Sequence, residues 1–292
     1  MQTYNGSRFY APTLILLGVP GLESIYAWLS VPFCLGYLIA LLGNSTILFI
    51  VRAEASLHQP MFYFRSVFSA TDLGLSTSTL PKMLAISGLA SGGGISYLFD
   101  PITFTGMESV VLVCMAFDRY VAICHPLRYA TTLTKTRVTW MCFGVFLRPF
   151  LLVLPLAVMS SYLPFCSSRI ETALTYCEHM GIAKLACTDI RVKGAYGLFT
   201  ISFLMLDLVL ILLSYVRILR AVFRLPSKEA RAKSLGTCGS HVAVIFIFYT
   251  PAFFSFLTHR FGLNIPRYTH ILIANLYMPS SAPQCSTRSF MG

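Results

Sequence analysis

Apolar residues run for about 20 positions at a time along this chain, the length a helix needs to cross a bilayer, with short polar stretches between the runs. They fall at 28–51, 61–84, 102–123, 138–161, 194–219 and 235–257, and a seventh begins near Tyr268. In lipid the backbone must satisfy its own hydrogen bonds, so runs of this length predict helices. The expected fold is an all-α membrane protein, a seven-transmembrane helix bundle over 28–278 between an outer N-terminal stretch, 1–27, and a tail, 279–292. Pro279 and Pro283, with polar residues around them, stop the last run about halfway across, so the seventh helix is expected to be truncated.

Composition strengthens this picture. With 56% hydrophobic and 11% charged residues, and a mean hydropathy of +0.71, the chain is too apolar for a soluble domain whose surface must be wetted. The start has no basic stretch followed by an apolar core and a small-residue cleavage site, so the first span is expected to direct insertion. Lys and Arg set the orientation. Arg52, then Arg128, Lys135 and Arg137, then Arg217, Arg220, Arg224, Lys228, Arg231 and Lys233 all fall on one side, which is therefore cytoplasmic. The N-terminus is then extracellular, where the sequon at Asn5 can be glycosylated. The net charge of +11 follows from these loops; it reads as topology and attraction to membrane lipid, not as nucleic-acid binding.

Against this background, charge inside a span stands out, because burying it is costly and is tolerated only where a partner or a function compensates. Asp118 and Arg119 lie at the end of the third run, where the alternatives are a switch and a salt bridge that merely ends a helix. Asp72 and Glu108 place one carboxylate each in the second and third runs. They are either unrelated buried acids or a polar cluster holding a proton or a cation. Asn44, in the first run, also needs a partner within the bundle. Arg148, in the fourth, is expected to face protein or the outer interface. In the sixth, Phe248, Tyr249 and Thr250 precede Pro251, which removes one helical hydrogen bond and makes a hinge. The long outer loop carries Cys166, Cys177 and Cys187 in a setting that permits disulfides; zinc binding with His179 is the rival reading.

Several motifs are more specific than any of these residues alone. The stretch from Met115 to Pro126 reads MAFDRYVAICHP, Leu57 to Met61 reads LHQPM, and Lys233 to His241 reads KSLGTCGSH. Together they resemble olfactory receptors of the rhodopsin-like G-protein-coupled family. His259, Arg260, Phe261 and Gly262 at the outer end of the sixth run are similar to class I, the fish-like branch. The resemblance implies a receptor and not an enzyme, which acts by shifting population between two packings of the same helices. It also implies that Arg119 pairs with Asp118 at rest. Tyr215 then bridges toward Arg119 in the active form, or is simply an interfacial tyrosine, and Tyr120, Lys233 and His241 complete the coupling end.

By the same resemblance, a small-molecule odorant sits among Ile102, Met180, Leu198, Phe199, Tyr249 and Phe256, with Arg260 as its one cation. A guanidinium there suits a carboxylate, since its fork matches the two oxygens, while a snorkelling interfacial Arg is the alternative. Asp72 and Glu108 correspond to the family's sodium pocket, and sodium is the only cofactor expected. Cys166 and Cys187 would be disulfide-linked, leaving Cys177 odd, because its usual partner before the third helix is replaced by the stretch Ser91 to Pro101, expected to be a flexible loop. The expected partner is the heterotrimeric stimulatory olfactory G protein, raising cyclic AMP at the plasma membrane. The resemblance is lost after Met278, where the family's Asn-Pro-x-x-Tyr motif should follow. The competing expectation is therefore a non-signalling product retained in the endoplasmic reticulum. A transporter or channel would more naturally show duplicated halves, and none is seen in the sequence.

Overall fold

The computed structural model describes residues 13–16, 26–54, 59–85, 96–161, 169–172, 191–224 and 227–261. Six long helices account for most of them: α1 (Tyr26–Ala53), α2 (Pro60–Ala85), α3 (Ser96–Cys124), α5 (Lys135–Ser161), α6 (Arg191–Val222) and α7 (Lys228–Phe261). A 3-10 turn at Pro126–Arg128 and a short α4 (Tyr129–Thr132) join α3 to α5. Of the long helices, α1, α5, α6 and α7 are each apolar enough over sufficient length to cross a membrane. A fifth span is formed by α3 when it is counted with the segment beyond its 116° bend. The expected seventh helix lies outside the described residues, as do Asn5, Cys166, Cys177, Met180 and Cys187.

The runs expected from sequence match these helices closely, with two corrections. The stretch before the third run is not loop throughout, because α3 begins at Ser96, ahead of Pro101. A proline near a helix start forfeits one backbone bond without ending the helix. Likewise the basic residues Lys228, Arg231 and Lys233 do not precede the sixth long helix but form its first turns. Ser227 begins it: its hydroxyl accepts from the Ala230 N–H at 3.4 Å and donates to Glu229 at 3.3 Å, a capping arrangement that satisfies an orphan donor.

Helix α3 is the axis of the bundle, with α2, α5 and α6 packed around it and α1 against α2. Two glycines allow the closest approaches. Any side chain at Gly74 would collide with the Phe104 ring, and a Cβ at Gly106 would lie 2.9 Å from that of Pro149. The inner half of the core joins Leu112 and Ala116 of α3 to Ile211, Tyr215, Ile218 and Val222 of α6 and Cys238, Ile245 and Phe248 of α7. Outward, leucine, valine and phenylalanine remain exposed, as expected where the neighbouring solvent is acyl chain. Strand β1 (Thr13–Leu16) pairs in parallel with β2 (Arg169–Thr172), Thr13 opposite Arg169 and Leu16 opposite Thr172. Four long helices separate these strands in the chain. The pairing places the N-terminal segment and the start of the long loop together on one face.

Candidate functional site

At the inner end of α3, Asp118 is buried and its Oδ1 accepts a hydrogen bond from the Tyr129 hydroxyl at 2.8 Å. Tyr129 opens α4, so the loop helix is tied to α3 through this carboxylate. Burial, and then the Asp118 carboxylate, hold the Tyr129 phenol above its ordinary value, which keeps it a donor at neutral pH. Arg119 does not pair with Asp118 here; its guanidinium donates to the Met61 sulfur on α2. The expected resting ion pair is therefore absent from this arrangement, for a geometric reason. Consecutive helical side chains point about 100° apart, so neighbours in sequence face different helices. Tyr120 turns a third way, its hydroxyl 3.2 Å from His125 Nε2 with the rings edge to face.

Opposite, Tyr215 of α6 and His241 of α7 are both buried, and the phenol oxygen lies 2.6 Å from His241 Nδ1. Tyr215 thus holds α7 and does not reach Arg119 by a hydrogen bond, although Arg119 is within electrostatic reach of both residues. His241 Nε2 is buried with no hydrogen-bond partner among the described residues. Lys233 stands exposed two turns before His241 on the same helix.

Higher in the bundle, Asn44 Nδ2 donates to Asp72 Oδ2 at 2.5 Å, giving the buried asparagine the partner it requires. Glu108 is fully buried near the Asp72 carboxylate, and neither of its oxygens has a hydrogen-bond partner among the described residues. The nearby chain also leaves the buried Ser76 hydroxyl oxygen without one. Asp72 and Glu108 are therefore brought near each other. Orphaned carboxylate oxygens are the donor chemistry that a proton or a hard monovalent cation satisfies.

A second polar cluster was not anticipated from sequence. Arg148 Nη1 of α5 lies 2.7 Å from Asp207 Oδ1 of α6, with the arginine side chain 31% exposed and the aspartate 4%. The same guanidinium donates to the Phe203 carbonyl at 3.3 Å and lies over the Phe203 ring at 5.2 Å. Ser109 of α3 donates to Asp207 Oδ2 at 2.8 Å and lies 2.9 Å from the Tyr249 hydroxyl of α7. One carboxylate thus links α5 and α3 directly, and α7 through Ser109. The signal was present in the sequence: Arg148 and Asp207 are opposite charges near the middles of two neighbouring apolar runs, where each needs the other.

Of the expected ligand-contacting residues, Tyr249 sits in this cluster, deeper than a mouth position. Ile102 is half-buried on α3. On α6, Leu198 is 39% and Phe199 50% exposed, and Phe199 packs along its own helix against Tyr196 and Phe203. Phe256 and Arg260 lie on the last turns of α7.

Long helices, several of them apolar enough to cross a membrane and tied to one another by buried polar links at several depths, define a multi-pass helical membrane bundle. The comparisons with known proteins give the family. The olfactory receptor family model matches residues 33–283. The chain is 53% identical over 283 residues to olfactory receptor 52J3 of Homo sapiens, covering 95% of this chain and 91% of that one. It is 46% identical to human olfactory receptor 52H1 over 284 residues, 95% and 90% of the two chains. For human olfactory receptor 51E1 the identity is 47% over 280 residues, 94% and 87%. The chain belongs to the olfactory receptor family, and its 51 and 52 relatives fit the class I, fish-like branch. It is a multi-pass membrane protein with an odorant receptor's fold and family.

Proposed function

We propose that this chain is a plasma-membrane receptor for small carboxylic-acid odorants that activates the stimulatory olfactory G protein and raises cyclic AMP. The observation that carries the reading is the way α7 is held: Tyr215 grips His241 near its inner end and Ser109 grips Tyr249 near its middle. A ligand at the outer end, anchored by Arg260 and bounded by Ile102, Met180, Leu198, Phe199 and Phe256, pulls on the same helix above Pro251. A ligand that binds one packing of these helices better than the other shifts the population toward an α7 swung away from α3. The inner cleft then opens beside Arg119, Tyr215, Tyr120 and Lys233 to take the G protein, and Arg119 exchanges Met61 for partners in the cleft.

Asp72 and Glu108, with Asn44 beside them, would hold a sodium ion in the resting packing. The ion would meet the two Glu108 carboxylate oxygens, which have no hydrogen-bond partner among the described residues, beside the Asp72 carboxylate. On the outer face, Asn5 is glycosylated and Cys166 and Cys187 are joined. The pairing of β1 with β2 supports an N-terminus on the side of the long loop, and the distribution of basic residues supports that side being extracellular.

The test tags the N-terminus, stains unpermeabilised cells and records cyclic AMP against a series of short carboxylic acids. The expected outcome is surface staining, a response to acids, and an Arg260→Ala variant whose half-maximal concentration rises at least about tenfold, the loss of one charge-assisted contact. Acids that act equally on parent and variant would remove Arg260 as the anchor. Normal synthesis without surface staining or response would instead favour a retained, silent product.

A further inference from the structure

The faces of α6 separate sharply. Ile211, Tyr215, Ile218 and Val222 are buried and recur at helical spacing toward α3 and α7. On the opposite side Leu206, Leu210 and Leu213 are exposed, and Arg217, Arg220 and Arg224 continue the same stripe, all three exposed. At about 100° per residue the six side chains fall within one narrow arc. Past Val222 the Phe223 N–H still bonds to Leu219 at 2.9 Å and the Arg224 N–H closes a tighter turn on Ala221 at 3.1 Å, so Arg224 stands exposed directly beyond the helix end. The three arginines therefore lie exposed at one end of the helix, on the side away from Tyr215. They span about 10 Å of axis, at 1.5 Å per residue.

Nothing acidic balances them on that stripe. From Arg217 to Lys233 there are six cations, Arg217, Arg220, Arg224, Lys228, Arg231 and Lys233, against the single carboxylate of Glu229, which is engaged with Ser227. Arg231 of α7 reaches across, donating to the Phe223 carbonyl at 3.3 Å with its guanidinium 5.9 Å from the Phe223 ring. The first turns of α7 thus add positive charge at the edge of the same surface.

We propose that the outer face of α6 at its cytoplasmic end is a site for a polyphosphorylated inositol lipid, with phosphates on Arg217, Arg220 and Arg224 and acyl chains along Leu206, Leu210 and Leu213. An apolar stripe that turns cationic at the bilayer boundary matches an amphiphile lying beside the helix. A basic cluster immediately inside a span is the pattern that recruits such lipids. Three forked donors along one line fit several phosphates on one headgroup, whereas a headgroup of single charge would satisfy only one of them. The site rests on the proposed orientation of the receptor, since it needs these arginines at the cytoplasmic leaflet, but not on the identity of the odorant.

The experiment uses the full chain in phosphatidylcholine nanodiscs, titrated with fluorescent phosphatidylinositol bisphosphate, without odorant or G protein. Arg217→Gln, Arg220→Gln and Arg224→Gln combined should weaken binding about a hundredfold, from a factor of several for each basic residue. The corresponding triple lysine variant, which keeps the charge and loses the fork, should weaken it about fivefold and serves should the glutamine variant fold poorly. Glutamine at Arg128, Lys135 and Arg137, on the other basic loop, should leave affinity within about twofold. Parent-like binding by a folded glutamine variant would overturn the proposal. So would displacement by phosphatidylserine, at matched charge, as effective as by the unlabelled inositol lipid, because that indicates diffuse attraction. Failure of the acid-odorant reading would appear in the cyclic AMP assay and leave this titration intact, and a wrong orientation would appear in the staining of the N-terminal tag.

Discussion

Of the two aspartate–arginine couples Asp118–Arg119 and Arg148–Asp207, the one that looks improbable in sequence is formed and the other is not. Asp118 and Arg119 are adjacent, yet one turns to Tyr129 and the other to Met61. Arg148 and Asp207 are separated by 59 positions and meet at 2.7 Å. The difference is helical geometry. Neighbours on one helix diverge, whereas residues on facing helices at equal depth converge, and in lipid an unpaired charge has no cheaper alternative. The couple that pairs fastens helices together; the couple that does not leaves Arg119 on a soft sulfur contact, which a rearrangement gives up at little cost.

The largest test of this contrast removes one partner from the formed couple. Asp207→Ala leaves Arg148 without its counter-ion and takes one of two partners from Ser109, and should lower the stability of the purified receptor by about 3 kcal/mol. Arg148→Met with Asp207→Leu should recover most of that loss, because exchanging both partners for apolar side chains leaves no buried charge. A thermal melt of the three proteins decides it, and a double variant as unstable as Asp207→Ala would remove the argument. Gly106→Val, which drives a side chain into Pro149 where α3 and α5 come closest, should cost about 2 kcal/mol in the same melt.

Smaller effects probe the unpaired couple. Tyr129→Phe deletes the Tyr129 hydrogen bond to the Asp118 carboxylate and should cost about 1.5 kcal/mol. Tyr215→Phe should cost about 1 kcal/mol and raise basal cyclic AMP, since it releases α7 from α6 without touching the ligand end. Arg119→Met should move the melt by no more than about 0.5 kcal/mol yet abolish the G-protein response. A large stability loss there would mean that Arg119 anchors the resting bundle after all.

Most of the helical framework was legible in the sequence because lipid imposes one rule on every span: length and apolarity suffice to find a helix. That Asn44 needs a partner within the bundle followed from the same economy of buried polar groups, but which residue, Asp72, did not. Who faces whom was harder. Asp118 and Arg119 invited a local pairing that this arrangement does not make, the first turning to Tyr129 and the second to Met61. Arg148 drew no partner, because finding Asp207 requires knowing that α5 and α6 pack side by side at matching depth. The beginnings of α3 and α7 also misled, since Pro101 suggested an interruption and Lys228 to Lys233 suggested a loop, where both stretches are helical.

The parallel pairing of β1 with β2 has a consequence for how the molecule is made. Its two strands lie 156 positions apart, Thr13 with Arg169, so this contact is among the most distant in the chain. During synthesis the N-terminal segment emerges first and must wait while four helices are threaded into the bilayer before its partner strand exists. Closing so long a loop is slow and comes late. A nascent receptor interrupted before residue 169 would therefore carry residues 13–16 as an unmatched strand edge, a ready signal of incompleteness to the machinery that inspects such edges.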